Sequence, residues 1–415
     1  MRVLVLSHYY DPEPIPKPAE LAQELRRRGH TVFVVTGYPN YPAGTLYPDF
    51  RLSLFQKESR DGIPVLRTFQ FPYHGRSSLG RVLNYTSFMF SSLLGAFLTP
   101  SCDVIYVWHP PLTVGIAAVI ISLLKRAPFV YDVQDIWPES IISSGWKLPV
   151  AVVRILHWME RVIYGRAEKI LVVTQGAKEN LLSKGVSPKK VVVAPHWFDG
   201  DMFQGGSRGI RDIRSQYKIK KNQFVVMFAG NLGLMQGVDT IVYAAEALRE
   251  HKEIVFTLIG DGVDQERLKS LVLDLKLNNI LFIERQPMSE MPNFLSSADA
   301  LVAPLRGSSI SDCIIPTKLL AYLAAGRPVI VAANGAAASL VRQSGAGLVV
   351  PPDEPEALAA AVLDLYRTSV SSRQEMGENG RSYLLAHFSK QKVISEYEQI
   401  LLSVSLESRE TGHAG

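Results

Sequence analysis

Cysteine is nearly absent: Cys102 and Cys313 are the two in 415 residues. So low a count excludes a disulfide framework and leaves no thiol spacing for a metal, and it suits a reducing compartment. The nine histidines are scattered, with no HExxH pair, so no metal site is expected. Apolar runs of membrane length are missing too. Val82–Leu98 is diluted by Ser, Thr and Asn, and Leu112–Leu124 has 13 residues where a crossing needs about 20. Both predict core helices that are also apolar enough to dip into a membrane surface. The opening "MRVLVLSHYYDP" has no small-residue cleavage site and reads as a buried first strand rather than a signal peptide.

What is present is ordinary for a folded chain: 47% hydrophobic and 20% charged residues, which excludes disorder. The length predicts two domains. Charge is uneven within the formal +5: residues 1–195 hold 22 Lys and Arg against 14 Asp and Glu, and the remainder holds 22 against 25. A basic first half fits a solvated face, an anionic membrane surface or a lipid phosphate. No recognition helix or aromatic RNA-binding signature accompanies it, so no nucleic-acid partner is expected.

Apolar runs alternate with helical patterns. "RVLVLSHYY", "TVFVVTG", "DVIYVWH", "FVYDVQD", "KILVVTQ" and "KVVVAPHW" read as strands, with the amphipathic "PAELAQELRRRGH" closing at Gly29. Continuous Val/Ile/Leu runs mark strands covered on both faces, as in parallel sheets. The Gly- and charge-rich stretch 198–222 reads as a linker, after which strands and helices alternate again from "FVVMFAGN" to "AGLVVPPD". The predicted class is therefore α/β, with two doubly wound Rossmann-like domains at 1–197 and 223–385. Two helical stretches, Pro355–Thr368 and Lys390–Leu406, end the chain, and the tail 407–415 reads as flexible. Ligands of such sheets sit beyond the strands' carboxyl ends, and two sheets in series predict a cleft between them.

In the second domain, "AGNLGLMQGVDT" puts Gly230, Gly233 and Gly237 after a strand, and "IGDG" does the same with Gly260, Asp261 and Gly262. A third loop carries Arg306, Asp312 and then Pro316, Thr317, Lys318 and Leu319 at the start of a helix. Glycines allow close backbone approach, and free N–H groups at a helix start beside a lysine form a seat for an anion. Together these loops predict a pyrophosphate site.

These motifs, with "F…RQPMSEMPNFLSSADALVAPL", "PTKLLAYLAAGRPVI" and the earlier "YDVQDIWPES" and "HWMERVIYGRAEKILVVTQG", resemble retaining nucleotide-sugar glycosyltransferases of family 4, which have the GT-B fold. The resemblance covers about residues 1–390 and is greatest to the bacterial polysaccharide subgroup typified by an N-acetylfucosamine transferase of O-antigen synthesis. It implies that the first domain binds the acceptor and the second the donor. It also implies that residues 386–406 form a helix packing back on the first domain. The Gly230–Gly237 loop, Lys318 and the N–H groups around Thr317 would hold the diphosphate, and Arg285, Gln286 and Met288 would pass the nucleobase. The nucleotide sugar, with UDP the subgroup's habit and an N-acetylated hexose or deoxyhexose the expected sugar, is then a substrate, and no cofactor is implied. The acceptor would be a polyprenyl-linked or oligosaccharide sugar, placing the enzyme in the cytoplasm or peripherally at the inner membrane face.

This chain departs from the family at several positions. Asn231 and Gln236 stand where relatives carry Arg and Lys, while Cys313 and Ala321 replace two glutamates. Lys318 and Arg306 would have to compensate, with Asp312 approaching the sugar hydroxyls. In the first domain Gln134 takes the place of a histidine, and Asp135, then Glu139, are the candidate groups for the acceptor hydroxyl, Asp135 having helix capping as its alternative role. Tyr10, Lys17 and His109 are further acceptor-side candidates, and His196 reads as structural. Two other readings remain: a nucleotide-sugar epimerase of the same fold, and a catalytically degenerate nucleotide-binding partner protein.

Overall fold

The computed structural model describes residues 1–75, 77–143, 148–200, 203 and 213–412. The first sheet contains β1 (Arg2–Ser7), β2 (Thr31–Thr36), β3 (Phe55–Arg60), β4 (Ile63–Thr68), β5 (Val104–His109), β6 (Phe129–Val133), β7 (Lys169–Val172) and β8 (Val191–Val193). The second contains β9 (Phe224–Ala229), β10 (Ile254–Ile259), β11 (Ile280–Ile283), β12 (Ala300–Pro304), β13 (Val329–Ala332) and β14 (Gly347–Val350). Their orders are β3-β4-β2-β1-β5-β6-β7-β8 and β11-β10-β9-β12-β13-β14. Every neighbouring pair is parallel except β3 with β4.

All residues of β5 and β9 are buried, as expected of strands with helices on both faces. In β9 the strand alternation divides the core. Val225, Met227 and Ala229 pack with Leu319, Leu320, Tyr322 and Leu323 on one side. Phe224, Val226 and Phe228 pack with Ile241, Val242, Leu358 and Val362 on the other. The two doubly wound α/β units that the sequence pattern predicts are thus present. One comprises Met1–Val173, Ala177–Ala194 and Ile394–Gly415, and the other Thr174–Gly176 and Pro195–Val393.

In each sheet the chain reverses its direction of growth once, between β1 and β5 and between β9 and β12. The loops after these strands border the crevice where doubly wound folds take ligands.

Several elements differ from the sequence expectation. The hairpin β3–β4 was not expected, yet Asp61 and Gly62 at its turn have φ of 49° and 73°, the conformation an Asp-Gly hairpin turn requires. The helix Val370–Phe388 was also missed. Gly377 and Gly380 interrupt its pattern because the helix packs too closely for a side chain: a Cβ at Gly377 would lie 2.1 Å from the Gly326 carbonyl oxygen. Of the expected linker, residues 201–202 and 204–212 lie outside the described residues, and the described part is tied to the second unit. Phe198 bridges Ser389, and Arg214 pairs with Asp299 at 2.8 Å. The last helix runs over Lys390–Gly412, further than 406, while 413–415 of the expected tail lie outside the described residues.

Candidate functional site

In the second unit the helix Thr317–Ala324 is hydrogen-bonded to the end of β9 through one side chain. The buried Tyr322 hydroxyl accepts from Ala229 N–H at 2.7 Å and donates to Ala229 carbonyl oxygen at 3.0 Å. Lys318 lies four residues earlier, hence on the same helix face. Its Nζ stands 4.2 Å from the centroid of the Phe228 ring and donates to Gln236 Oε1. No carboxylate pairs with it among the described residues, and desolvation pulls its ammonium down to about 7. The helix begins after Pro316 without a side-chain cap. Leu319 N–H is taken by the Pro316 carbonyl at 2.9 Å, while the N–H groups of Thr317 and Lys318 have no acceptor among the described residues. Thr317 itself is exposed.

The glycines allow the close backbone approach expected of them, but between the loops themselves. A Cβ on Gly260 would stand 2.0 Å from Gly230 carbonyl oxygen, and one on Gly262 2.3 Å from that of Leu232. The loops after β9 and β10 therefore lie backbone against backbone. Gly230 and Leu232 spend their N–H groups on Ile259 and Asp261, at 2.9 and 2.7 Å, so those two amides are not free donors. Gly237, with φ of 62°, ends the short turn Leu234–Gln236 and lies under the chain at Arg306, while Gly233 packs beside the Asn231 amide. Among the described glycines, Gly230 alone meets Lys318: a Cβ there would be 3.3 Å from Nζ.

Arg306 requires a correction. The compensating cation expected from sequence is bound to Asp239 and, at 2.7 Å, to Asp353, while Asp239 also holds Arg267 at 3.1 Å. Its charge is consumed within the protein. Arg285 is exposed and 3.7 Å from Asp261, Gln286 bonds the Glu284 carbonyl at 3.0 Å, and Met288 is exposed. Asp312 sits in the turn Ser311–Cys313, its carboxylate without a partner among the described residues.

In the first unit, β5 and β6 end in a polar cluster. Asp132 is fully buried and accepts from Tyr106 at 2.5 Å and from Gln134 Nε2 at 2.6 Å; desolvation pushes it up to about 6. Gln134 is thereby turned back into the protein as a positioning group, which corrects its reading as catalytic. Lys17 faces this carboxylate electrostatically. His109 is buried with neither ring nitrogen bonded among the described residues, and desolvation lowers it to about 3, so the ring is neutral. Tyr131 Oη, Gln134 Oε1 and Thr113 Oγ1 are likewise buried without partners among the described residues. Asp135 follows, exposed at its edge yet with protein packed around its carboxyl, which burial pushes upward; it makes no side-chain bond among the described residues, so it caps no helix.

Two acceptor-side candidates are corrected. Glu139 pairs with Lys184 at 2.8 Å, which in turn holds Glu160 at 2.9 Å, so it belongs to an ion-pair network. Tyr10 is 1% exposed, a core ring rather than a ligand contact. Sequence reading missed Tyr322, Asp132 and Glu13. Glu13 is buried, accepts from the N–H groups of Asn40 and Tyr41 at 2.9 Å, and is pushed up to about 7 by desolvation. A carboxylate inside a strand of valines was the available signal for Asp132.

Residues 17–197 match the glycosyl transferase 4-like domain, and residues 209–383 match the glycosyl transferases group 1. Among curated proteins the chain is 25% identical over 383 residues to WcaI of Escherichia coli strain K12, a glycosyl transferase assigned by inference to colanic acid biosynthesis; the match covers 87% of this chain and 91% of that one. It is 24% identical to the glycosyltransferase WbjE of Pseudomonas aeruginosa, assigned with similar reserve, over 82% and 85% of the two chains. Among solved structures, Anabaena Alr3699/HepE in complex with UDP superposes with a TM-score of 0.74 at 18% identity, covering 97% of this chain and all of the other. Sucrose-phosphate synthase of Thermosynechococcus elongatus gives 0.75 at 17% identity, over the whole of both chains.

Proposed function

The chain belongs to the glycosyltransferases of the GT-B fold, its halves matching the 4-like and group 1 domains, and from that premise we propose the reaction it performs. It moves a sugar, an N-acetylated hexose or deoxyhexose, from a nucleoside diphosphate to a hydroxyl of a polyprenyl-linked or oligosaccharide acceptor, with retention at C1. UDP is the favoured nucleotide, and the setting is cell-surface polysaccharide synthesis of the O-antigen type at the inner membrane face. No resident cofactor is needed.

One observation carries this reading: Lys318, a half-buried ammonium without a counter-ion among the described residues, beside Gly230 and two unspent helix N–H groups. In the transfer, the bond from C1 to the phosphate oxygen breaks and its electron pair leaves with the diphosphate. The acceptor oxygen forms the new bond to C1 and gives up its proton. Negative charge thus grows on the departing phosphate, where fixed N–H groups and a cation stabilise it without reorganising. Asp135, unpartnered and raised, is the candidate group for the acceptor hydroxyl.

A thermal-shift panel of nucleoside diphosphates and their sugars tests donor binding, since a ligand raises apparent stability by mass action. The expected outcome is stabilisation by UDP, weakened in Lys318→Ala, with turnover reduced by about 10²–10³. Unchanged binding and turnover in that variant would refute the cradle. The engagement of Arg306 and the absence of the glutamate pair favour a second reading, an inert nucleotide-binding partner protein; donor hydrolysis by the purified chain would exclude it.

A further inference from the structure

Three neighbouring helices cover one face of the first unit's sheet: Ser78–Phe97, Leu112–Lys125 and Val150–Arg166. Their outer side is unusually apolar. Leu79, Leu83, Phe90, Leu94 and Phe97 follow helical spacing along the first helix, and Phe90 and Phe97 are 63% and 66% exposed. Leu123 and Leu124 continue the surface on the second helix, and Ile155 and Trp158 on the third. The charges on these helices have one sign at the surface: Arg81, Lys125, Arg154, Arg161 and Arg166 are basic, while the single acid, Glu160, is buried.

Beside the third helix lies a hollow of about 780 Å³. Arg154, Trp158 and Arg161 enter its wall at positions i, i+4 and i+7, opposite Lys184 and Lys190. Lys184 is neutralised by Glu139 and Glu160, and Lys190 donates to the carbonyls of Gly165 and Ala167. Arg154 and Arg161 have no hydrogen-bond or ion-pair partner among the described residues. Two unspent guanidiniums around an exposed indole form a recognition surface for phosphate, which guanidinium binds through paired N–H groups.

We propose that this three-helix face docks on an anionic phospholipid bilayer, with its leucines and phenylalanines in the acyl boundary and a lipid phosphate in the hollow between Arg154 and Arg161. Among the described residues no helix is long and apolar enough to cross a membrane, so the layer lies in the interfacial plane. A second copy of the chain fits less well, because a two-fold contact would press two basic faces of the same sign against each other. The inference deepens the reading of a lipid-linked acceptor and rests on it only for where that acceptor is met.

The test is sedimentation of the full chain with vesicles of phosphatidylcholine, alone or mixed with phosphatidylglycerol. Stronger partition onto the mixed vesicles, weakened by salt, is expected. Arg154→Ser with Arg161→Ser should lower that partition by roughly fivefold per guanidinium while leaving neutral vesicles unaffected. Phe90→Glu with Leu94→Glu, both at exposed positions, should abolish binding to either. The proposal is overturned if the wild-type chain stays in the supernatant, if the arginine pair leaves the anionic preference intact, or if light scattering finds a dimer that the glutamates break without any vesicle binding. UDP thermal shifts on the same samples separate this failure from that of the donor site, because none of these residues touches it.

Discussion

At the scale of single residues, Lys318 combines two demands that conflict. In the proposed role of stabilising a departing diphosphate it must be charged, yet its surroundings hold it at about 7 against an ordinary 10.5. Between those values the unfolded chain binds a proton that the folded chain does not, so this group's contribution to stability rises with pH across that window and is least favourable below pH 7. A diphosphate beside Nζ reverses the balance by favouring the ammonium, so binding takes up a proton whenever the free protein has lost it. UDP affinity is therefore expected to fall about tenfold between pH 7.5 and 9, approaching one proton per site. Isothermal titration in buffers of different ionisation enthalpy reads this directly. In Lys318→Met the proton uptake and the pH slope should vanish together; if they persist, another group carries the linkage.

At the scale of elements, the site is made by loops that touch through their backbones. Gly260 has φ of 137° and packs against the Gly230 carbonyl, a surface that cannot yield as a flexible side chain would. Gly260→Ala should cost about 2 kcal/mol or more from the strained backbone and the collision combined. Thermal unfolding should register that loss, and UDP binding should weaken because Gly230 beside Lys318 is displaced. Such contacts explain which parts of the site were legible in sequence. The Pro-Thr-Lys helix start and the glycine spacing pointed to loops that the fold brings together at Gly230 and Lys318, because turn chemistry and capping are local. Arg306 could not be read correctly, since its partner Asp353 lies 47 residues away and only the fold brings the carboxylate to it. The same holds for Gln134, whose role follows from Asp132 pointing inward. The fold class was readable from the period of the apolar runs. The helix Val370–Phe388 was not, because the glycines its packing requires also erase its pattern.

At the scale of the whole molecule, the last helix sets the boundary of the first unit. Its residues from Ile394 onward belong to that unit, although nearly 200 residues of the second unit precede them in the chain. Ile394, Tyr397, Leu401 and Val404 form a buried stripe at helical spacing. Glu398 bonds Arg28 at 2.7 Å and His30 at 2.6 Å, and the Tyr397 ring lies 6.3 Å from that of Tyr106. A unit completed only by the chain's end should lose stability when that end is weakened. Leu401→Ala removes a fully buried side chain and is expected to cost about 2–5 kcal/mol. The loss should be local. In hydrogen exchange read by mass spectrometry, amides of β1, β5 and β6 should exchange faster, while those of β9, β10 and β12 keep their wild-type rates. Equal acceleration in both sheets would mean that the helix supports the two units as one cooperative body, and the assignment of its stripe to the first unit would fail.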